Sequence, residues 1–209
     1  FDDTLARGDS ILPFLLYCIR KRISPRRQLV KAVGAFLYWK LRPSRASRAK
    51  SATLSFLKGR SADEMLDVAR AFFRDESLPH FYQDGLTELW SLRSQGMKLV
   101  VVSASPDVYM RALPEFMPLD AVLSTRCEVG GDGRYTGQVG ENCKGEEKVR
   151  RIEQYLKENG FVLDMKCSSA YGDSPSDADM MALVNRAVLV NPKKALLRRR
   201  PDGIVVHWT

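Results

Sequence analysis

Apolar residues recur at helical spacing from Ile11 to Arg22 and again from Arg26 to Leu41, where Val30, Val33, Leu37 and Leu41 share a face. Pro25 and Pro43 bound the second of these stretches. Ser44 to Lys58 predicts a third helix, and Ser61-Ala62-Asp63-Glu64 is a capping box opening a fourth that runs to about Arg74. No strand pattern interrupts these helices. From Phe81 the period alternates. Gly85 to Gln95 predicts a helix stopped by Gly96. Lys98-Leu99-Val100-Val101-Val102 is the continuous apolar run of a strand buried on both faces, and it ends in Ser103-Ala104-Ser105-Pro106. Ala121 to Ser124 predicts a short strand, and Cys127 to Val139 a hairpin around Gly130-Gly131-Asp132-Gly133. Then come a helix with an apolar face of Val149, Ile152 and Leu156, a small-residue run ending in Gly172, and a strand at Ala187 to Val190. A basic helix to Arg200 and a strand from Ile204 to His207 complete the pattern. The pattern predicts an all-α segment followed by an α/β part with parallel-type strands. A chain of 209 residues is long enough for both.

Charge divides along the same line. No acid occurs between Asp9 and Asp63, whereas Arg20 to Arg60 holds thirteen Lys and Arg, so the segment carries about +13 and the remainder about −5. The basic face admits three uses: a solvated surface, a guide for an anionic substrate, or contact with anionic lipid headgroups. Nucleic acid is not expected. Cys18, Cys127, Cys143 and Cys167 lie far apart with no C-x-x-C pair, which indicates neither a zinc site nor a disulfide framework. The longest apolar run, Ile11 to Ile19, contains Pro13 and falls well short of a membrane span of about 20 residues. With no signal peptide either, the expected location is the cytoplasm, with peripheral association at the inner membrane surface as the alternative.

Polar residues collect where strands end. In Ala170-Tyr171-Gly172-Asp173-Ser174-Pro175-Ser176-Asp177 a Gly-Asp turn leaves a strand and Pro opens the next helix, which puts both carboxylates at one mouth. Two acids converging on one loop ask for a cation, and hard oxygen ligands with room for waters suit Mg²⁺; an ordinary helix cap with an exposed second acid is the plainer reading. Ser103 at a strand end, beside the N–H groups of a helix start, is an anion site by geometry or simply a cap. Lys144 precedes a helix, where a fixed cation reaches into a cleft or is merely solvated. Phe1-Asp2-Asp3-Thr4-Leu5 adds two acids and a hydroxyl.

These pieces belong to successive carboxyl ends of a parallel sheet, where such folds bind ligands. Together they resemble the haloacid dehalogenase superfamily of phosphohydrolases, whose motifs are Asp-x-Asp-x-Thr, a strand ending in Ser or Thr, a Lys, and Gly-Asp-x-x-x-Asp. KLVVVSAS, NCKGEEKV and AYGDSPSD point to its phosphoserine phosphatase-like subclass, with a helical cap after the first motif. The resemblance implies an α/β fold, a doubly wound parallel-sheet core from residues 1–10 and 78–209 with an all-α cap inserted at 11–77, and a Mg²⁺-dependent phosphomonoester hydrolase acting through an aspartyl phosphate. It makes Asp2 the general acid/base, with its carbonyl on the metal, and Thr4 a support of that loop. Ser103 and the N–H of Ala104 would hold phosphoryl oxygens, Lys144 would neutralise charge between phosphate and nucleophile, Asp173 would bind the metal directly, and Asp177 would act through a bound water.

One departure stands out. If Thr4 is the motif's Thr, the nucleophilic Asp falls one position before Phe1, so the natural chain is expected to continue upstream with that Asp and a central strand. Asp9 lies where the subclass carries an acid for a substrate ammonium, and it either does that work or caps the first cap helix. The expected partner is a small phosphorylated metabolite of the phosphoserine type. The apolar, basic cap and the Asn191-Pro192 tail also look like the bacterial branch that includes phosphatidylglycerophosphate phosphatases, which implies a membrane-surface enzyme as the alternative. A catalytically inactive binding protein is the alternative should the nucleophile be absent.

Overall fold

The computed structural model describes residues 1–42 and 46–209. The run of valines forms β1 (Val100–Pro106), which pairs in parallel with β2 (Ala121–Thr125), Val100 opposite Ala121 through Ser103 opposite Ser124. A second parallel sheet has the order β5 (Ser169–Gly172), β6 (Arg186–Val190), β7 (Ile204–Val206). Four of the five β6 residues are buried, as a strand covered on both faces requires. Between the two sheets lies an apolar cavity of about 470 Å³, lined by Val100, Val101 and Val102 on one side and Ala170 and Tyr171 on the other. Phe1 and Thr4 stand among its lining residues. The core helices are α5 (Gln83–Ser94), α6 (Asp107–Met110), α7 (Glu146–Glu158), α8 (Ala178–Met181) and α9 (Lys194–Arg199). The architecture is α/β with parallel sheets and a helical cap, as the sequence pattern predicts.

The cap helices are α1 (Ile11–Arg20), α2 (Arg27–Leu41), α3 (Ala46–Thr53) and α4 (Ala62–Phe72). The expected start of the third helix at Ser44 lies outside the described residues; its end comes early because Ser55–Leu57 tightens into a 3₁₀ turn. Ser61 caps α4 by accepting from the Asp63 N–H at 3.3 Å, and the reciprocal bond expected from Glu64 is not among the described hydrogen bonds. The apolar face of α2 is turned the opposite way from a core-facing stripe. Val30 and Leu41 are 75% and 82% exposed, while Gln28, Ala32 and Ala35 are buried. The small side chains let α2 sit against α3, and the Gln28 amide donates to the Ala52 and Thr53 carbonyls at 2.7 Å each. Among the described residues no helix is long and apolar enough to cross a membrane.

The predicted hairpin forms as β3 (Cys127–Val129) and β4 (Tyr135–Val139), with Gly133 at φ 73° in its turn, a conformation glycine adopts without strain. It joins the cap edge: Gly59 N–H donates to the Tyr135 carbonyl at 2.8 Å and Ala62 N–H to that of Gly133 at 2.9 Å. A single cluster of buried apolar residues crosses from cap to core. Phe14 of α1 meets Phe72 of α4 at 5.3 Å and Tyr109 of α6 at 4.8 Å between ring centroids, and Phe1 meets Phe81 at 5.8 Å. Burying each such ring stabilises by roughly 1.5–3 kcal/mol, so the cap is seated on the core by apolar contact rather than held by charge.

Candidate active site

The acidic loop follows from one close approach. β5 ends at Gly172, where an added Cβ would stand 2.7 Å from the Cβ of Asp177, so only glycine lets the loop fold back on itself. Ser174 then opens a 3₁₀ turn, Pro175–Asp177, and the Asp177 carboxylate accepts from the Ser174 N–H at 3.0 Å and its hydroxyl at 2.9 Å. Asp173 and Asp177 are both buried. Asp173 Oδ1 accepts from the Thr4 hydroxyl at 3.1 Å, and its Oδ2 accepts from Lys193 Nζ at 2.7 Å. The same ammonium reaches Asp3 at 3.1 Å. The Thr4 hydroxyl thus ties the amino-terminal loop to the acidic loop.

The cation that meets this loop is a correction to the sequence reading. Lys144 is exposed on the turn before α7, and the ammonium that enters is that of Lys148, one helical turn farther on. Lys148 Nζ lies 2.6 Å from Asp177 Oδ1 and donates to the Val102 carbonyl at 3.0 Å. The two side chains are only 7% and 5% exposed. The reason is geometric: α7 starts at Glu146, so its first turn directs Glu147 and Lys148 toward the sheet, while Lys144 stays on the loop side of Gly145. Burial pushes the Asp177 carboxyl up, and the Lys148 ammonium more than offsets that, so it lies below its ordinary range.

Asp2 faces the end of β1. Its Oδ2 accepts from the Ser105 hydroxyl at 2.5 Å and its Oδ1 from the Ser10 N–H at 3.1 Å, while the Ser10 and Tyr109 hydroxyls lie 2.9 Å apart. Ser103 is buried, and its hydroxyl oxygen accepts from the Ser105 N–H at 3.0 Å, which leaves its own O–H free of that bond. The Ala104 carbonyl accepts from Thr125 at 2.6 Å and from Lys50 of the cap. Asp9 accepts from the Ile11 N–H at 3.0 Å, the bond of a helix cap. The backbone nitrogen of Phe1 is buried, and Lys148, Asp2, Asp177 and Asp173 are the charges that act on it.

Asp2, Thr4, Ser103, Ala104, Asp173 and Asp177 thus gather at the strand ends, and Lys144 does not join them. Sequence reasoning missed Lys148, Lys193, Ser105 and Lys50. Lys148 carried a signal, standing four residues after Lys144 and on the sheet-facing side of a helix; Lys50 carried none within a uniformly basic segment. No three His, Cys, Asp or Glu side chains converge as a metal cage among the described residues. Mg²⁺ does not need one, since it is held by one or two carboxylates with waters, and the hard oxygens of Asp173 and Asp177 fit that habit.

A model of the haloacid dehalogenase-like hydrolases matches residues 1–182. The chain belongs to this family. This hydrolase is 30% identical over 189 residues to protein CicA of Caulobacter vibrioides, covering 88% of the chain and 81% of that protein. It is 27% identical over 201 residues to phosphoserine phosphatase SerB1 of Mycobacterium tuberculosis, covering 93% of the chain and 64% of that protein. Its fold matches a crystal structure of a protein with unknown function from Bordetella pertussis, with a TM-score of 0.87, 22% identity, and 99% and 95% of the two chains covered. The hydrolase thus has phosphatase-named relatives and the fold that the motif order implied.

Proposed function

We propose that this hydrolase is a Mg²⁺-dependent phosphatase that cleaves a small phosphomonoester of the phosphoserine type through an aspartyl phosphate. The observation that carries the reading is the surroundings of the Phe1 nitrogen. The Phe1 nitrogen lies in the field of Lys148, Asp2, Asp173 and Asp177, and it is the position at which the sequence reading expects a nucleophilic carboxylate to join the chain. A carboxylate at that position attacks phosphorus and displaces the alcohol. Asp2, oriented by Ser105 and Ser10, protonates the leaving alkoxide and later takes a proton from the hydrolytic water. Lys148 performs the neutralisation that the sequence reading gave to Lys144, and the O–H of Ser103 with the Ala104 N–H holds phosphoryl oxygens. Asp173 and the Asp2 carbonyl would hold Mg²⁺, with Asp177 acting through water; the ion supplies charge neutralisation for two anionic reactants. Asp9 is assigned to the substrate's ammonium.

The working division is a core of residues 1–10 and 78–209 and a cap of 11–77, in a cytoplasmic enzyme. A second reading, hydrolysis of a phosphatidylglycerophosphate-like lipid at the inner membrane surface, draws on the outward apolar face of α2 within a basic segment. The test is initial phosphate release by the full-length protein with Mg²⁺, comparing phosphoserine with micellar phosphatidylglycerophosphate at matched concentration. Preference for phosphoserine supports the first reading and preference for the lipid the second. No release from either of these or from an aryl phosphate overturns both, in favour of a binding protein.

A further inference from the structure

The basic helix α9 carries none of the groups assigned to the chemistry, yet its amino end meets the acidic loop. Asn191, at φ 43°, turns the chain after β6 and is pinned there: its N–H donates to the Val206 carbonyl at 2.9 Å and its side-chain amide to the Trp208 carbonyl at 3.2 Å. The turn delivers Lys193 to Asp173 at two points. The Lys193 N–H donates to the Asp173 carbonyl at 2.9 Å, and its ammonium to Asp173 Oδ2 at 2.7 Å. The same ammonium reaches Asp3 Oδ2 at 3.1 Å, and Asp3 Oδ1 accepts from the Gly8 N–H at 3.0 Å. Since the Thr4 hydroxyl holds Asp173 Oδ1 at 3.1 Å, each oxygen of this carboxylate has its own donor. A carboxylate offers about four acceptor positions, so these donors set its rotation and leave positions for a cation.

As an ion pair the contact contributes little to stability, because the Lys193 side chain is 55% exposed while that of Asp173 is 7% exposed. Its consequence lies in orientation. We infer that Lys193 is a positioning residue for the metal site: by fixing Asp173 it presets the carboxylate that meets Mg²⁺. This rests on the proposed Mg²⁺-dependent reading and adds to it an outer partner supplied by α9. Two effects oppose each other. The ammonium repels a second cation, but it stands half in water, which screens that repulsion. The orientation of a buried carboxylate is not screened, so it prevails, and loss of the lysine weakens the hold on Mg²⁺.

The test is calorimetric titration of the full-length protein with Mg²⁺ alone, without substrate, for wild type, Lys193→Met, Lys193→Arg and Arg199→Met. Removing the outer partner of a metal-binding side chain weakens metal affinity roughly 10- to 100-fold, and Lys193→Met should do so. Lys193→Arg keeps a charged donor and should recover part of the loss. Arg199 ties the other end of α9 to the Pro175 carbonyl and to Asp179, both at 3.0 Å, without touching Asp173; its replacement should leave Mg²⁺ affinity within about twofold. Unchanged or tighter Mg²⁺ binding by Lys193→Met overturns the inference, whatever happens to its melting temperature. Equal weakening by Arg199→Met also overturns it, since the cause would then be the seating of the loop. A wild-type protein that binds no Mg²⁺ overturns the metal reading and this inference with it, whereas normal wild-type binding with an indifferent Lys193→Met sinks only the inference.

Discussion

Replacing Lys148 by Met removes one partner of a buried ion pair and keeps the approximate length of the side chain. The pair is short, 2.6 Å, and both side chains are nearly sealed from water, so the Asp177 carboxylate would be left buried without its cation. Breaking such a pair from one side costs about 3–5 kcal/mol. Asp177 keeps two donors from Ser174, at 3.0 and 2.9 Å, which places the expected loss near the lower end, about 3 kcal/mol. Lys144→Met, at an exposed position, should stay within about 0.5 kcal/mol. The assay is urea unfolding of both variants at one pH, with stability read from the midpoint at constant slope. The double variant Lys148→Met/Asp177→Asn should recover part of the loss, since the stranded charge is gone. Turnover of the full-length enzyme should fall on the order of 10²-fold or more in Lys148→Met, the usual consequence of removing an electrostatic stabiliser. Lys148→Met behaving like wild type while Lys144→Met loses stability and rate would refute the assignment.

Asp173→Asn should abolish Mg²⁺-dependent turnover while far-UV circular dichroism stays native; full activity would refute its place on the metal. Gly172→Ala forces a Cβ to 2.7 Å from that of Asp177 and should cost about 1–3 kcal/mol in thermal or urea unfolding, so an unchanged melting temperature would mean the loop yields freely. Asp9→Ala should impair phosphoserine selectively if Asp9 reads an ammonium and should slow all substrates alike if it only caps α1, a comparison of kcat/KM deciding between them. Burial pushes the Asp120 carboxyl up, but its bonds from the Leu99 N–H and Arg93, both 2.8 Å, bring it below its ordinary value of 3.8. A lowered folded value means a stabilisation present above about pH 4 and lost as pH falls through the folded value. Asp120→Asn should therefore flatten the acid limb of the stability curve, and an unaltered limb would count against it.

The helix–strand order was legible because period and punctuation are local: four consecutive apolar residues before Ser103, Pro106 after it, and Gly172-Asp173 leaving a strand. The candidate chemistry was legible for the same reason, since each of Asp2, Thr4, Ser103, Asp173 and Asp177 sits at an element boundary that the pattern locates to within a residue or two. Two features were left to neighbours in space to decide. The stripe Val30, Val33, Leu37, Leu41 has the spacing of a core face, yet α2 buries its small face of Ala32 and Ala35 against α3 instead. Lys144 and Lys148 are both plausible cations in the sequence, and only the angle at which α7 leaves Gly145 selects the second.

The sequence by itself determined the fold class, the family, the cap as a separate basic segment, and the acids at the strand ends, because these rest on residue spacing along the backbone. The tertiary structure alone decided which lysine neutralises Asp177, that Ser105 holds Asp2, and that Lys50 crosses from cap to core. Those are contacts between residues 29, 103 and 54 positions apart, and what brings them together is burial of a shared apolar cluster, which no local pattern records.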